Sequence, residues 1–145
     1  TLGKESYPVL ETFVEDIVSA SSIIVRGEGE AESYSALLRE SIEKFYPEKK
    51  IIWNPQGEEE ADLCLAVSIT GKEKLTMDSI SRVVFAGGKA DVISANPQSL
   101  ISKAATNAIQ VSDELFFKGD EHILGKFSIL AVIEILTVLM GKDKV

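Results

Sequence analysis

Short apolar runs alternate with stretches of helical periodicity along most of this chain. Pro8 fits the first turn of a helix, and Val9, Leu10, Phe13, Val14, Ile17 and Val18 recur at the spacing of one helical face. A strand is predicted at 22–26. Residues 31–46 read as a helix with Leu37, Leu38, Ile42 and Phe45 inward, stopped by Pro47. A short strand at 50–53 runs into the turn Asn54-Pro55-Gln56-Gly57 and the acidic run Glu58-Glu59-Glu60, and a third strand follows at 63–67. The stretch 75–86 carries two patterns. Leu75, Ile80, Val83 and Val84 suit a helix, whereas Val83-Val84-Phe85 alone suits a strand; Gly87-Gly88 is a good helix stop and favours the helix. Strand four falls at 91–94, a helix opened by Pro97 runs to about residue 105, and strand five falls at 108–111. A polar loop at 112–121 holds Phe116 and Phe117, and the last helix spans 123–141.

This alternation predicts an α/β fold: a five-stranded parallel sheet with both faces covered, a doubly wound three-layer sandwich. The chain shows no internal repeat and no interdomain linker, so one domain is expected over 1–145. In the last helix, Ile129, Leu130, Val132, Ile133, Ile135, Leu136, Val138 and Leu139 point in nearly every direction. A helix apolar all round is buried all round. The sheet covers one side, so the first helix or a second subunit is expected on the other, and a homodimer through the first and last helices is predicted.

Composition narrows the function. The chain carries 23 acids against 15 bases, a net charge of −8, which argues against a nucleic-acid grip by this chain itself. The single cysteine, Cys64, lies in a predicted buried strand, which makes it a core residue rather than a nucleophile and excludes an internal disulfide. No basic-then-apolar leader opens the chain, and the apolar stretch 127–140 contains Glu134 and is too short to span a bilayer. A cytoplasmic protein with no membrane contact and no cofactor is expected. The chain opens at Thr1 without Met, so a fragment of a longer protein is expected.

Two strand-to-loop junctions carry the candidate chemistry. The first is Arg26-Gly27-Glu28-Gly29-Glu30-Ala31. The second is Val67-Ser68-Ile69-Thr70-Gly71-Lys72-Glu73. Ligands of open α/β sheets bind at such carboxyl ends. A dinucleotide fingerprint fails: the third glycine would fall at Glu32, and no acid ends strand two, where Trp53-Asn54 stands. A plain tight turn is an equal reading of Gly27-x-Gly29. Ser68 and Thr70 are either ligand hydroxyls or caps of the next helix, and Asn96 and Ser99 suit a turn and helix start as well as a site. One histidine, His122, and one cysteine make a transition-metal site improbable.

Taken in order, these motifs resemble a SIS (sugar isomerase) domain, most closely the effector half of RpiR-type bacterial transcriptional regulators. Gly27-Glu28-Gly29 stands where that family has Gly-x-Gly-x-Ser. Ser68-Ile69-Thr70-Gly71 stands where it has Ser-x-Ser-Gly-x-Thr. Ser94-Ala95-Asn96-Pro97-Gln98-Ser99-Leu100 is similar to the loop after the fourth strand, and Gly125-Lys126-Phe127-Ser128 to the start of the final helix. The resemblance implies flavodoxin-like strand order, dimerisation and a phosphosugar site at the strand ends. Its ligand-binding positions here are Gly27, Gly29, Ser68, Thr70, Gly71, Lys72, Asn96 and Ser99. DNA contact would come only through a helix-turn-helix domain absent from this chain. Hydroxyls, exposed N–H groups and a helix N-terminus are the chemistry that holds a phosphate dianion.

The chain departs from the pattern at Ala31, which replaces the serine of the first loop, and at Glu73, which replaces the last threonine of the second. Glu28, Glu30 and Glu32 crowd the first loop, where carboxylates repel a phosphate unless they point away. Residues 54–62 are short and acidic where the family has a helix. The expected function is a non-enzymatic sensing and dimerisation domain for a phosphosugar or related carbohydrate, with a partly degenerate pocket. The alternatives are a small aldose-ketose phosphate isomerase, with Glu73, Glu30 or His122 as base, or a structural dimerisation module without ligand.

Overall fold

The computed structural model describes residues 7–96, 98–111 and 121–145, with backbone alone at 7 and 121–127. Pro97, Phe116 and Phe117 lie outside the described residues, as does the side chain of His122. Helix α1 (Tyr7–Ser19) leads into strand β1 (Ser22–Arg26). A 3-10 turn (Gly29–Ala31) joins β1 to α2 (Glu32–Phe45), and β2 (Lys50–Trp53) and β3 (Leu63–Ser68) follow. Then come α3 (Lys74–Phe85), β4 (Lys89–Ser94), α4 (Leu100–Ala104), β5 (Asn107–Gln110) and α5 (Glu121–Asp143). The ambiguous stretch at 75–86 is helical. The helix predicted from Pro97 is shorter than expected, five residues from Leu100.

All strand pairs are parallel, in the order β2-β1-β3-β4-β5, the flavodoxin-like arrangement. The period-two pleat then sorts the strand side chains. Ile23, Val25, Leu63, Leu65, Val67, Ile93 and Ile109 meet the apolar faces of α1, α2 and α5. Ile24, Cys64, Ala66, Ala90 and Val92 meet Ile80 and Val83 of α3 and Ile101 of α4. This is the three-layer sandwich the alternation predicts. Cys64 is fully buried in the second layer, and burial pushes its thiol up to about 12, so it packs as an inert core residue.

Helix α5 packs against both α1 and α2. Their flanks account for much of the apolar surface that the sequence left open to a second subunit. Ile129, Val132, Ile133, Leu136 and Met140 are buried, while Val138 on the outward ridge is 55% exposed. Beyond the core, Ser41 and Thr137 share a 2.7 Å hydroxyl contact, and the Tyr46 hydroxyl donates to Asp143, pinning α5 to α2 at two heights.

One polar cluster lies under α1. Asp91 of β4 and Asp16 of α1 are both buried. The Asn107 amide donates to Asp91 Oδ1 at 3.0 Å and to Asp16 Oδ2 at 3.3 Å, and Lys89 pairs with Asp16 at 3.2 Å. Burial first, and the neighbouring Asp16 second, push the Asp91 carboxyl up to about 8. A folded-state value raised above the unfolded one, ~4, means that stability from this group is full below ~4. It declines as pH rises and is spent once pH passes about 8. Thermal unfolding followed from pH 5 to pH 9 should show this alkaline loss, and Asp91→Asn should flatten it; an equal loss in the variant would place its origin elsewhere.

Candidate functional site

Strand order reverses on either side of β1, so the loops after β1 and β3 lie side by side at the carboxyl edge of the sheet. They enclose an open hollow of about 330 Å³, lined by Glu28, Gly29 and Glu30 from the first and Ile69, Thr70, Lys72 and Glu73 from the second. A hollow of about 350 Å³ sits at the opposite edge, around Asp62 and Gly87. The topological switch point singles out the first as the candidate site.

The second loop folds around a carboxylate of its own chain. Glu73 Oε1 accepts from the Ser68 hydroxyl at 2.7 Å and the Gly71 N–H at 3.1 Å. Glu73 Oε2 accepts from the Ile69 N–H at 3.0 Å and the Thr70 N–H at 3.1 Å. Burial alone would push this carboxyl up. The hydrogen bonds from Ser68, Thr70 and Ile69 outweigh it and hold the group below the usual glutamate range. Ser68 is fully buried, and its oxygen also accepts from the Gly71 N–H. Thr70 Oγ1 accepts from the Lys72 N–H, leaving Lys72 exposed at the rim.

The third loop braces the second. Asn96 Nδ2 donates to the Thr70 carbonyl at 3.0 Å. Ser99 caps α4, its hydroxyl accepting from the Ser102 N–H, within a network that includes Ser94. Gly71 has φ +78°, and a Cβ there would sit 2.3 Å from Ser99 Cβ, so glycine is required twice over.

The first loop uses its residues differently. A Cβ on Gly27 would collide with the Ala31 carbonyl and Ser35, and the Gly27 N–H donates to Asn54 Oδ1. Gly27 therefore serves the close approach of α2 to β1. Gly29 has φ +59° with open space around it. Glu28 turns towards the start of α3, where its Oε1 accepts from both the N–H and the hydroxyl of Thr76. Glu28 thus faces the first turn of α3, where the helix dipole favours negative charge. Arg26, 2% exposed, donates to the Pro55 carbonyl at 2.6 Å and ties the helix-free 54–62 segment to the end of β1.

The structure therefore brings Gly29, Thr70 and Lys72 to one hollow, whereas Gly27, Ser68, Gly71, Asn96 and Ser99 do not line it. The acceptor roles of Glu73 and Glu28 were missed in the sequence. Thr70-Gly71-Lys72-Glu73 does fit the Ser/Thr-x-x-Glu spacing in which a glutamate reaches back to an N–H, a signal available without coordinates. Among the described residues, no group of three or more His, Cys, Asp or Glu could hold a metal ion, and no helix is long and apolar enough to cross a membrane.

No protein-family model and no curated protein matches the chain. Solved structures match its fold. The sugar isomerase domain of an RpiR transcription factor from Sphaerobacter thermophilus superposes with TM-score 0.79 at 17% identity, over 95% of this chain and 79% of that one. Vibrio vulnificus NanR, solved with ManNAc-6P, gives 0.75 at 17% identity, over 94% of this chain and 54% of that one, so this chain spans about half of NanR. A Methanococcus jannaschii protein whose structure was taken to infer 3-hexulose-6-phosphate isomerase function gives 0.71 at 12% identity, over 97% and 80%. The chain has the fold of SIS domains, which regulators and isomerases share.

The packing of Gly71 against Ser99 gives a test. Gly29→Ala should cost about 1–2 kcal/mol, the price of a left-handed non-glycine residue alone. Gly71→Ala adds a steric clash to that strain and should cost clearly more in urea unfolding; equal losses would contradict the tight bracing of the two loops.

Proposed function

We propose that this chain is a carbohydrate-derivative-sensing and dimerisation domain of a transcriptional regulator, with a pocket that departs from the phosphosugar pattern. The observation that carries the reading is the convergence of the loops after β1 and β3 on one hollow at the switch point, braced by the loop after β4, within a fold shared with an RpiR sugar isomerase domain and with NanR. NanR was solved with a sugar phosphate, which supports a carbohydrate-like ligand here. In this reading the ligand shifts the balance between dimer geometries. DNA contact belongs to a separate domain of a longer cytoplasmic protein, in keeping with this chain's net charge of −8. Leu37 of α2, which the helical spacing places inward, is 40% exposed in the structure because Leu38 and Ile42 take the core side; with Val18 of α1 and Val138 of α5 it supports a dimer through the α1–α5 layer.

The isomerase reading has support from fold neighbours alone. A general base near neutral pH needs a carboxylate free to take a proton. Of the three candidate bases, Glu73 accepts four hydrogen bonds and is held below its usual range, Glu30 lines the hollow, and the side chain of His122 lies outside the described residues.

A thermal-shift screen against sugars, amino sugars and their phosphates should show a concentration-dependent rise for one class, about 2.7 kcal/mol of stabilisation at 100 times Kd. Thr70→Ala with Lys72→Ala should weaken it. A flat screen would remove the sensing role and leave a structural module. No solvent deuterium should enter carbon two of any bound sugar phosphate, since exchange there would establish the isomerase. Gel filtration at micromolar concentration should give a dimer, and a monomer would remove the assembly from the proposal.

A further inference from the structure

Glu73 lies in an arrangement that ordinarily receives a free anion. Three consecutive backbone N–H groups, those of Ile69, Thr70 and Gly71, point at one carboxylate together with the buried Ser68 hydroxyl, at 2.7–3.1 Å. Successive N–H groups of this kind form a concave nest that selects negative charge, and the adjoining N-terminus of α3 adds its dipole. The nest is shaped from outside as well. The Asn96 amide holds the Thr70 carbonyl, and Ser99 fills the space against Gly71. These braces do not pass through Glu73, so they remain when its carboxylate is removed.

We infer that Glu73 is a specificity-determining residue: its side chain is a built-in anion that occupies the nest and excludes a phosphate from it. The inference deepens the sensing role by naming the ligand class. A ligand of the adjacent hollow is an unphosphorylated carbohydrate or amino sugar, or one whose phosphate lies away from this loop. Mass action explains the exclusion. Glu73 is tethered three residues from Thr70, and tethering gives it a local concentration on the order of millimolar or more. Its occupancy costs no translational freedom, whereas a phosphate ion must pay that cost and then displace a charge of its own sign.

The test is chemical rescue with inorganic phosphate. Glu73→Ala should lower the midpoint of thermal unfolding by several degrees, as four acceptor contacts are lost. Phosphate, but not chloride at matched ionic strength, should then raise the variant's midpoint in a concentration-dependent way. The same titration should leave the wild-type chain unmoved. A wild-type midpoint that rises as much as that of the alanine variant would show the nest open and overturn the inference. So would a folded alanine variant indifferent to phosphate. If Glu73→Ala fails to fold, the wild-type amides decide the matter. In a phosphate titration followed by NMR, the N–H signals of Ile69, Thr70 and Gly71 should stay in place, and their movement would overturn the inference. Both readouts use phosphate alone, so they stand or fall separately from any search for a sugar ligand.

Discussion

Where a parallel strand ends and its helix has not yet begun, several backbone N–H groups emerge together with no partner in either element. Burying them unsatisfied costs far more than any single hydrogen bond returns. Each α/β protein must therefore supply acceptors at its carboxyl edge, from water, from a ligand or from itself. This chain supplies them from itself. Glu73 serves the loop after β3, Glu28 the first turn of α3, and Asn54 the Gly27 N–H. The layout of the candidate site follows from those three choices: which hydroxyls turn inward, which glycines are forced, and which side chains remain at the rim of the hollow.

The fold was legible because its signal is repeated. Five apolar runs each read as a strand, and the helical periods between them agree with a sheet covered on both faces. Strand order and parallel pairing follow once the crossovers are fixed. Two elements were harder. At 75–86 the run Val83-Val84-Phe85 is β-branched and aromatic, yet burying Ile80 and Val83 against β3 and β4 requires the helix; Phe85, 95% exposed, is left over at its end. In α5 the all-round apolar pattern gave no direction, because composition alone cannot say whether flanking helices or a second subunit supply the cover. Here α1 and α2 supply much of it.

The positions of the candidate residues in the fold were legible, and their wiring was not. The glycines and hydroxyls named from the motifs do lie at the carboxyl edge. Their hydrogen-bond partners, however, depend on side-chain directions that spacing leaves open. An acid next to a phosphate-type loop reads as repulsion if it points out and as occupancy if it points in. The difference is a rotation about Cα–Cβ. Only the Ser/Thr-x-x-Glu spacing at Thr70–Glu73 hinted at the second reading. Gly27 shows the opposite error of emphasis. It belongs to a ligand-type motif, but the collision of any Cβ with the Ala31 carbonyl and Ser35 is reason enough for its presence.

The contact between Glu28 and Thr76 has a mechanical side. One carboxylate bridges the turn after β1 and the opening of α3, gripping a backbone N–H and a buried hydroxyl at once. The turn and the helix are thereby coupled as a crank to its rod. From this contact α3 runs to Phe85, on the opposite face of the sheet from α5. The same turn runs directly into α2, which packs on α5, so the hollow is joined to the α3–α4 layer by one carboxylate and to the α1–α5 layer by the chain itself.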